Sequence, residues 1–307
     1  KGTCTDLLLS EQYSRASGMV QLAGSAKYLI SPVLAGFLLG IADIRLLLLL
    51  DMGTFFVTVV TTLAVRRGIE SRVSGGRISF LPEIKEGWKA LTGRTGMPAL
   101  VFMGALITFC LGMIQTLASP MVLSFADSTS LGTLMTVIAF GMLVSSMILG
   151  GFSIEKGYVR LLSASLFGAG IFMALFGLRE NMVWIGAAGF CFFAMLPFAN
   201  TCLDCLIRGN IDNKIQGRVW GLVGLISQLG YVAAYAVSGV LADYLMTPLL
   251  LPGGKLAGSV GKILGTGDGR GIGLLIILSG LLLCVTAALL PGIKSIRLLE
   301  NRGVYES

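Results

Sequence analysis

The chain has 307 residues, of which 55% are hydrophobic and only 13% are charged, and it contains no histidine. A soluble globular domain is about one quarter charged, so this composition excludes an ordinary soluble protein and favours a membrane protein. The formal net charge of +7 does not indicate a nucleic-acid partner, because the basic residues form no stripe with interleaved aromatic side chains.

Eight apolar segments follow one another along the chain, and each is long enough to cross a bilayer core of about 30 Å as a helix. They are predicted at residues 16–40, 44–65, 97–123, 129–152, 159–178, 182–207, 217–244 and 272–292. The segments are too long for membrane-crossing strands and lack their alternation. The sequence therefore predicts an all-α integral membrane protein with eight transmembrane helices.

The connections between these segments differ in charge between the two sides of the membrane. Alternate connections and the two chain ends carry 17 Lys and Arg residues, whereas the remaining connections carry five. Because positively charged loops stay in the cytoplasm, we expect the richer side to be cytoplasmic. Both chain ends lie on that side, and the predicted location is the plasma (inner) membrane.

The first and seventh segments repeat one another. The positions that recur 203 residues later are Arg15, Gly18, Val20, Leu22, Tyr28, Gly36 and Leu38, which return as Arg218, Gly221, Val223, Leu225, Tyr231, Gly239 and Leu241. A period of six helices indicates two parallel bundles related by an axis along the membrane normal, as in many transporters.

This period predicts the domain organisation. Residues 1–65 are interpreted as the last two helices of an N-terminal bundle, residues 97–292 as a whole six-helix C-terminal bundle, and residues 293–307 as a cytoplasmic tail. Four further helices are then expected upstream of residue 1. The alternative is an authentic eight-span protein in which the repeat is fortuitous.

A basic cytoplasmic linker is predicted at residues 66–96, between the two bundles. Within it, the segment 80–91 is amphipathic, and Pro82 favours a helix start there. We expect this segment to lie on the inner membrane surface; the alternative is a plain solvated tether.

The predicted cytoplasmic segment 151–160, Gly-Phe-Ser-Ile-Glu-Lys-Gly-Tyr-Val-Arg, resembles the loop signature of the major facilitator superfamily. That signature is Gly, three residues, an acid, a base, then Gly and further bases, and here the second Gly falls one place early. The segments 10–18 and 213–221, and Leu50-Asp51, are similar to the macrolide-efflux-like branch of that superfamily.

The resemblance covers nearly the whole chain but only two thirds of the family's helices. It implies a partial major-facilitator fold that lacks its first four helices. It also implies a secondary transporter that exports small amphipathic molecules by alternating access, with protons as the coupling ion. Cofactors and metals are not expected.

The signature loop can act as a gate. Its acid can lie at a neighbouring helix N-terminus and pair with arginines, and these pairs hold the cytoplasmic side of the transporter closed. The predicted gating residues are Gly151, Glu155, Lys156 and Arg160, with Arg15 and Arg218 as symmetry-related partners. The alternative is that these residues only set the topology.

Ionisable groups inside membrane-spanning segments are costly and indicate function. Lys27 and Asp51 lie on neighbouring antiparallel segments, about 10 Å apart in depth, and are candidate coupling residues. Their alternative role is a structural ion pair, or Lys27 reaching water. Asp204 is a third coupling candidate; the alternative is an ordinary i,i+4 pair with a snorkelling Arg208.

Uncharged polar residues in the segments are candidate substrate-binding groups. They are Gln115, Thr116, Asn200, Gln228 and Tyr231, with adaptable apolar surface from Met103, Phe109, Met113, Phe193 and Met195. The alternative is that the polar groups join helices by hydrogen bonds.

Two other functions compete with drug export. A lipid or lysophospholipid flippase on the same fold is the alternative within transport, and a non-transporting truncated or partner subunit is another. An integral-membrane enzyme is excluded, because without histidine there is no HExxH motif or Ser–His arrangement, and no catalytic residue is predicted. The predicted partners are a small amphipathic substrate, protons and membrane lipids.

Overall fold

A computed structural model describes residues 44–68, 80–152, 154, 156–212 and 215–302, and the regular structure in these ranges is helical. In chain order the helices are α1 Ile44–Gly68, α2 Phe80–Gly93, α3 Met97–Leu123, α4 Ser128–Gly151, α5 Tyr158–Phe176, α6 Met182–Arg208, α7 Gln216–Val240, α8 Thr247–Leu250, α9 Gly261–Leu264, α10 Asp268–Leu289 and α11 Lys294–Arg302. Among the described residues, six helices are long and apolar enough to cross a membrane, namely α3 to α7 and α10.

The third to eighth predicted segments are therefore confirmed as helices, with shifted ends. Helix α7 continues through a π-helical turn, Leu241–Met246, into α8, so the chain stays helical to Leu250 instead of entering a loop at residue 245. The π turn ends two residues before Pro248. Proline has no N–H to donate, and helices commonly change their hydrogen-bond pattern near a proline. Helix α10 begins at Asp268, earlier than predicted.

The second predicted segment forms α1, a helix of 25 residues. Its described side chains are exposed, including Leu49 and Phe55, and it has few contacts with the other described helices. The first predicted segment, residues 16–40, lies outside the described residues. The count of eight transmembrane helices therefore stays a prediction.

The long helices neighbour one another in the order α4, α6, α5, α10, α3, α7, and α2 packs against α7. Helices α3, α5 and α7 begin at the end of the bundle where α4, α6 and α10 stop. We call this the basic end, because Lys156, Arg160, Arg218 and Lys294 lie there.

Side chains at helix starts explain where some of the helices begin. The Asn181 side chain accepts hydrogen bonds from the backbone N–H groups of Val183 and Trp184, both at 3.0 Å, directly before α6. Such bonds satisfy donors that have no partner within the first turn of a helix.

Small residues set the spacing between helices. A Cβ added at Gly170 on α5 would lie 2.7 Å from the Gly280 carbonyl oxygen on α10, and one added at Gly280 would lie 2.6 Å from the Gly170 carbonyl oxygen. Close backbone approach at small residues is characteristic of helices packed in a membrane, where burial of apolar surface does not drive association.

Candidate functional site

Helices α3 and α7 approach each other closely near the middle of the bundle. A Cβ added at Gly112 on α3 would lie 2.7 Å from the Ala234 Cβ on α7. One turn earlier on α3, the Thr108 hydroxyl donates a hydrogen bond to the Ser227 carbonyl oxygen of α7 at 2.6 Å. The crossing therefore brings the side chains that flank it within reach of one another.

A polar and aromatic cluster lies beside this crossing. The Tyr235 hydroxyl donates a hydrogen bond to Gln115 Oε1 at 3.1 Å, which joins α7 to α3. The Tyr231 and Tyr235 rings have their centroids 5.9 Å apart at a tilt of 33°. Gln115 and Tyr235 are exposed, and Tyr231 is half-buried. We call Gln115, Tyr231 and Tyr235 the tyrosine–glutamine cluster.

The remaining predicted substrate-binding residues occupy different surroundings. Thr116 is half-buried, and its hydroxyl donates to the Gly112 carbonyl oxygen of its own helix at 2.9 Å. Gln228 is exposed on α7, one turn before Tyr231, whereas Asn200 is half-buried on α6. Tyr235 was not among the predicted residues, although its spacing of four from Tyr231 and seven from Gln228 places all three on one helix face.

The prediction of an adaptable apolar surface for substrate is partly wrong. Met103 and Met113 are buried in the core, with exposed fractions of 7% and 1%. Phe109, Phe193 and Met195 are only half-buried and pack against that core. Methionine adapts its shape in both settings, so composition alone did not separate a core methionine from a surface one.

The cluster has the chemistry of a site for an amphipathic molecule. Two tyrosine rings offer flat apolar area, and the amide and hydroxyl offer a few hydrogen bonds that fix orientation. The same amide and hydroxyl also join α3 to α7 through their hydrogen bond.

The signature loop joins α4 to α5 at the basic end. Gly151 is the last residue of α4, and Gly157, directly before α5, has φ +81°, in the left-handed region that favours glycine. The Tyr158 hydroxyl donates to the Ile154 carbonyl oxygen at 2.6 Å, which fixes the turn. Lys156 and Arg160 are exposed. Glu155 lies outside the described residues.

Arg218 forms an ion pair with Glu86, which ties the first turn of α7 to α2. Its predicted symmetry partner, Arg15, lies outside the described residues. The gating roles of both arginines and of the signature loop stay predictions.

Buried polar groups gather where α6 ends. Asp204 and Arg208 are 5% and 3% exposed, and Arg208 Cζ lies 5.6 Å from the centroid of the Trp220 ring. Gln216 Nε2 donates to the Arg208 carbonyl oxygen at 3.5 Å and to the Ile211 carbonyl oxygen at 3.4 Å. The alternative of a snorkelling Arg208 is wrong, because its guanidinium is covered by an aromatic ring rather than by water.

The pairing of the other two coupling candidates, Lys27 and Asp51, stays a prediction. Asp51 is exposed on α1, where its carbonyl oxygen accepts from the Thr54 hydroxyl at 2.9 Å. Lys27 lies outside the described residues. Within the described ranges, no group of three His, Cys, Asp or Glu side chains is arranged to hold a metal ion.

At the opposite end, acids occupy defined positions that sequence reasoning did not assign. Asp127 Oδ1 accepts from the Ser130 backbone N–H at 3.2 Å at the start of α4, and this hydrogen bonding lowers the pKa of the Asp127 carboxyl. Glu180 forms an ion pair with Arg270 at 2.7 Å, which joins the α5–α6 connection to α10.

A groove of about 660 Å³ runs between α4 and α6 at the end of the bundle opposite the basic end. Its polar residues lie at the start of α4, with Asp127, Thr129 and Thr133, whereas the α6 side is apolar, with Met182 and Phe190. This combination suits a molecule with one polar end.

The long apolar helices define a multi-pass membrane protein. The chain belongs to the Major Facilitator Superfamily, whose sequence profile matches residues 4–235. Membership of this family points to a transporter rather than an enzyme. The resemblance stated from the loop signature and the repeat is thereby confirmed.

The curated proteins that this chain resembles share one name, macrolide efflux protein A. The chain is 26% identical over 248 residues to macrolide efflux protein A of Streptococcus pyogenes, covering 77% of this chain and 60% of the relative. It is 27% identical over 234 residues to macrolide efflux protein A of Enterococcus faecalis, covering 73% of this chain and 71% of the relative. The chain thus spans about three fifths of the length of the Streptococcus protein. No solved structure matches the chain at comparable significance.

Proposed function

We propose that the protein exports small amphipathic molecules of the macrolide type. The observation that carries this proposal is the tyrosine–glutamine cluster, which presents two aromatic rings and a hydrogen-bonded amide on an exposed face of a major-facilitator bundle. The name shared by the relatives supports the substrate class.

In this proposal residues 97–292 are the second bundle of a two-bundle transporter that works by alternating access. The exposed face of α3 and α7 then forms one wall of the substrate path, with Gln115, Tyr231 and Tyr235 in contact with substrate. Thr116, Asn200 and Gln228 contribute polar groups to the same path.

Proton coupling belongs to the same proposal, with Asp51, Lys27 and Asp204 as candidate residues. Burial of Asp204 and Arg208 supports a role in the cycle, since buried ionisable groups in a membrane bundle are costly to keep. The basic end faces the cytoplasm of a plasma-membrane protein, and the signature loop with Arg15 and Arg218 closes that side.

The test is macrolide accumulation in a drug-sensitive bacterial host that expresses the native protein from its own start. We expect lower accumulation of labelled macrolide, and a protonophore should restore it. Asp51→Asn should lose the dependence on external pH while the protein stays in the membrane. Accumulation that equals the empty-vector control at matched protein amount would reject export.

A second candidate function is transport of lipid or lysophospholipid on the same fold. The groove between α4 and α6 favours it, because the polar residues at the start of α4 could bind a headgroup while the apolar α6 side contacts a chain. Labelled lysophospholipid and labelled macrolide should be compared in the same vesicles. Lysophospholipid movement without macrolide movement would favour this candidate.

A further inference from the structure

Two short amphipathic helices lie at the basic end of the bundle, and each has one docked and one exposed face. The exposed face of α2 carries Lys85, Trp88 and Lys89, with the exposed Glu86 beside them; that of α11 carries Lys294, Arg297 and Leu298. Both sets have the spacing i, i+3, i+4, so each forms one stripe along its helix. We call them the two basic stripes.

The docked face of α2 is fixed by close packing on α7. A Cβ added at Gly87 would lie 2.7 Å from Leu222 Cδ1, and Leu91 is buried in the core. Glu86 is already engaged with Arg218. The side of α2 that carries Lys85, Trp88 and Lys89 is therefore held away from the bundle.

The docked face of α11 is fixed in a similar way. Ile296 and Leu299 are buried, and Asn210 Nδ2 donates a hydrogen bond to the Leu299 carbonyl oxygen at 3.0 Å. Gly96, directly before α3, lies so close to α11 that an added Cβ would be 2.6 Å from the Ser295 carbonyl oxygen. Both helices thus pack at the level where membrane-crossing helices begin and end.

The depth of α2 relative to the membrane follows from its contact with the start of α7. Its Gly87 touches Arg218 and Leu222, the third and seventh residues of α7. At 1.5 Å per residue these lie within about 10 Å of the start of that helix. This is the depth of the headgroup layer that borders the hydrocarbon core.

The α2 stripe places the exposed Trp88 between two lysines, and the α11 stripe places the exposed Leu298 beside Arg297. Tryptophan prefers the headgroup level of a bilayer, and lysine or arginine near a membrane surface is attracted to anionic lipids. A stripe that faced only water would gain nothing from exposing Trp88, whose exposed fraction is 54%. Charge complementarity therefore selects one occupant, the anionic lipid of the adjoining leaflet.

We propose that the two basic stripes bind the headgroups of anionic phospholipids such as phosphatidylglycerol, with Trp88 inserted beside them. This inference does not depend on what the protein transports. It assigns α2 a membrane-attached position that moves with α7, because Glu86, Gly87 and Leu91 fix it there.

The test uses Trp88 as the reporter. The chain has three tryptophans, so a W184F/W220F variant leaves Trp88 alone. This protein is placed in phosphatidylcholine vesicles that contain equal fractions of either acyl-brominated phosphatidylglycerol or acyl-brominated phosphatidylcholine. We expect stronger quenching by the brominated phosphatidylglycerol, with a preference of roughly fivefold for each lysine at the surface.

Charge variants separate the proposal from a general effect of net charge. K85Q/K89Q should abolish the preference, whereas K255Q/K262Q, which removes two exposed lysines at the opposite end, should leave it unchanged. Equal quenching by the two lipids, no quenching by either, or equal loss in both variants would overturn the proposal.

A second measurement covers the case in which the tryptophan variant does not fold. Native mass spectrometry of the unmodified chain, titrated with phosphatidylglycerol and with phosphatidylcholine, should show more bound phosphatidylglycerol at each concentration. That excess should fall in K85Q/K89Q and persist in K255Q/K262Q. Equal counts of the two lipids would overturn the proposal.

Discussion

Gly170 on α5 and Gly280 on α10 face each other so closely that a side chain on either would meet the carbonyl oxygen of the other. Gly177, directly after α5, and Gly273 on α10 repeat this relationship seven residues away: a Cβ added at Gly273 would lie 2.7 Å from the Gly177 carbonyl oxygen. The two pairs explain why α5 and α10 pack extensively along their lengths. They also account for part of the high glycine content of the chain, which has 42 glycines among 307 residues.

We expect Gly280→Ala to destabilise the bundle by about 1 to 3 kcal/mol, because the new methyl group would strike backbone atoms that cannot rotate away. Gly132→Ala on α4 is the matched control, since a Cβ there meets nothing within 4 Å. In that control the better helix propensity of alanine should leave stability equal or slightly higher. Thermal unfolding in one detergent measures both, and an unchanged midpoint for Gly280→Ala would contradict the packing argument.

The two described ion pairs should differ in their contribution to stability. Arg270 and Glu180 have side chains that are 11% and 32% exposed, whereas Arg218 and Glu86 are 40% and 62% exposed. We expect Glu180→Gln to cost about 1 to 3 kcal/mol, because it removes the partner of a largely buried cation. Glu86→Gln should cost less than about 1 kcal/mol, since water and salt screen an exposed pair.

The measurement is unfolding at low and high salt for both variants. Raising the salt concentration should shrink the effect of Glu86→Gln more than that of Glu180→Gln. Equal costs with equal salt dependence would show that burial does not distinguish the pairs.

Asp127 should give the bundle a pH-dependent contribution to stability. Hydrogen bonds from Ser130 lower the pKa of its carboxyl in the folded state, so the contribution is fully present above the ordinary aspartate pKa of about 3.9. It is lost as pH falls through the lowered folded-state pKa. We expect the unfolding midpoint of the wild-type chain to fall more between pH 5 and strongly acidic pH, about 2, than that of Asp127→Asn.

Asparagine is a suitable replacement because it also caps helices, so Asp127→Asn removes the titration and keeps the cap. Asp243→Asn, which changes an exposed acid at the same end, is the control. Identical pH profiles for wild type and Asp127→Asn would exclude Asp127 as a source of the acid dependence.

Hydropathy alone was sufficient to predict the six described membrane-crossing helices, because an apolar run of about 20 residues has few other stable solutions in a bilayer. Which helices pack against each other was harder to predict from the sequence. Gly112 and Ala234 allow the close α3–α7 crossing, yet the sequence of neither segment predicts that these two helices are neighbours.

The same limit applies to the candidate site. Tyr231 and Gln115 were predicted individually, whereas Tyr235 was identified only when the crossing placed it beside Gln115. Arg208 shows the opposite case, in which a charge at a helix end suggested water contact but Trp220 covers it. The surroundings of Tyr235 and Arg208 depend on how the helices pack together, and the periodicity within one helix does not predict that packing.

The hydrogen bond between Tyr235 and Gln115 predicts coupled effects on transport. Tyr235→Phe and Gln115→Leu each remove one partner, so we expect each to weaken macrolide export by about three- to tenfold, comparable to one lost hydrogen bond. The double variant should lose little more than the worse single variant, because the second change removes a partner that is already unpaired. Tyr244→Phe makes the same chemical change at an exposed tyrosine near the end of the bundle opposite the basic end, and it should leave export unchanged.

Export rates in membranes with matched protein amounts check this prediction, and unfolding midpoints show whether the loss arises from stability. If the tyrosine–glutamine cluster only joins α3 to α7, both single variants should lower the midpoint and leave the apparent substrate affinity unchanged. If the cluster contacts substrate, the apparent affinity should weaken at an unchanged midpoint. Additive losses in the double variant would show that the two side chains act separately, and the shared hydrogen bond would then have no part in recognition.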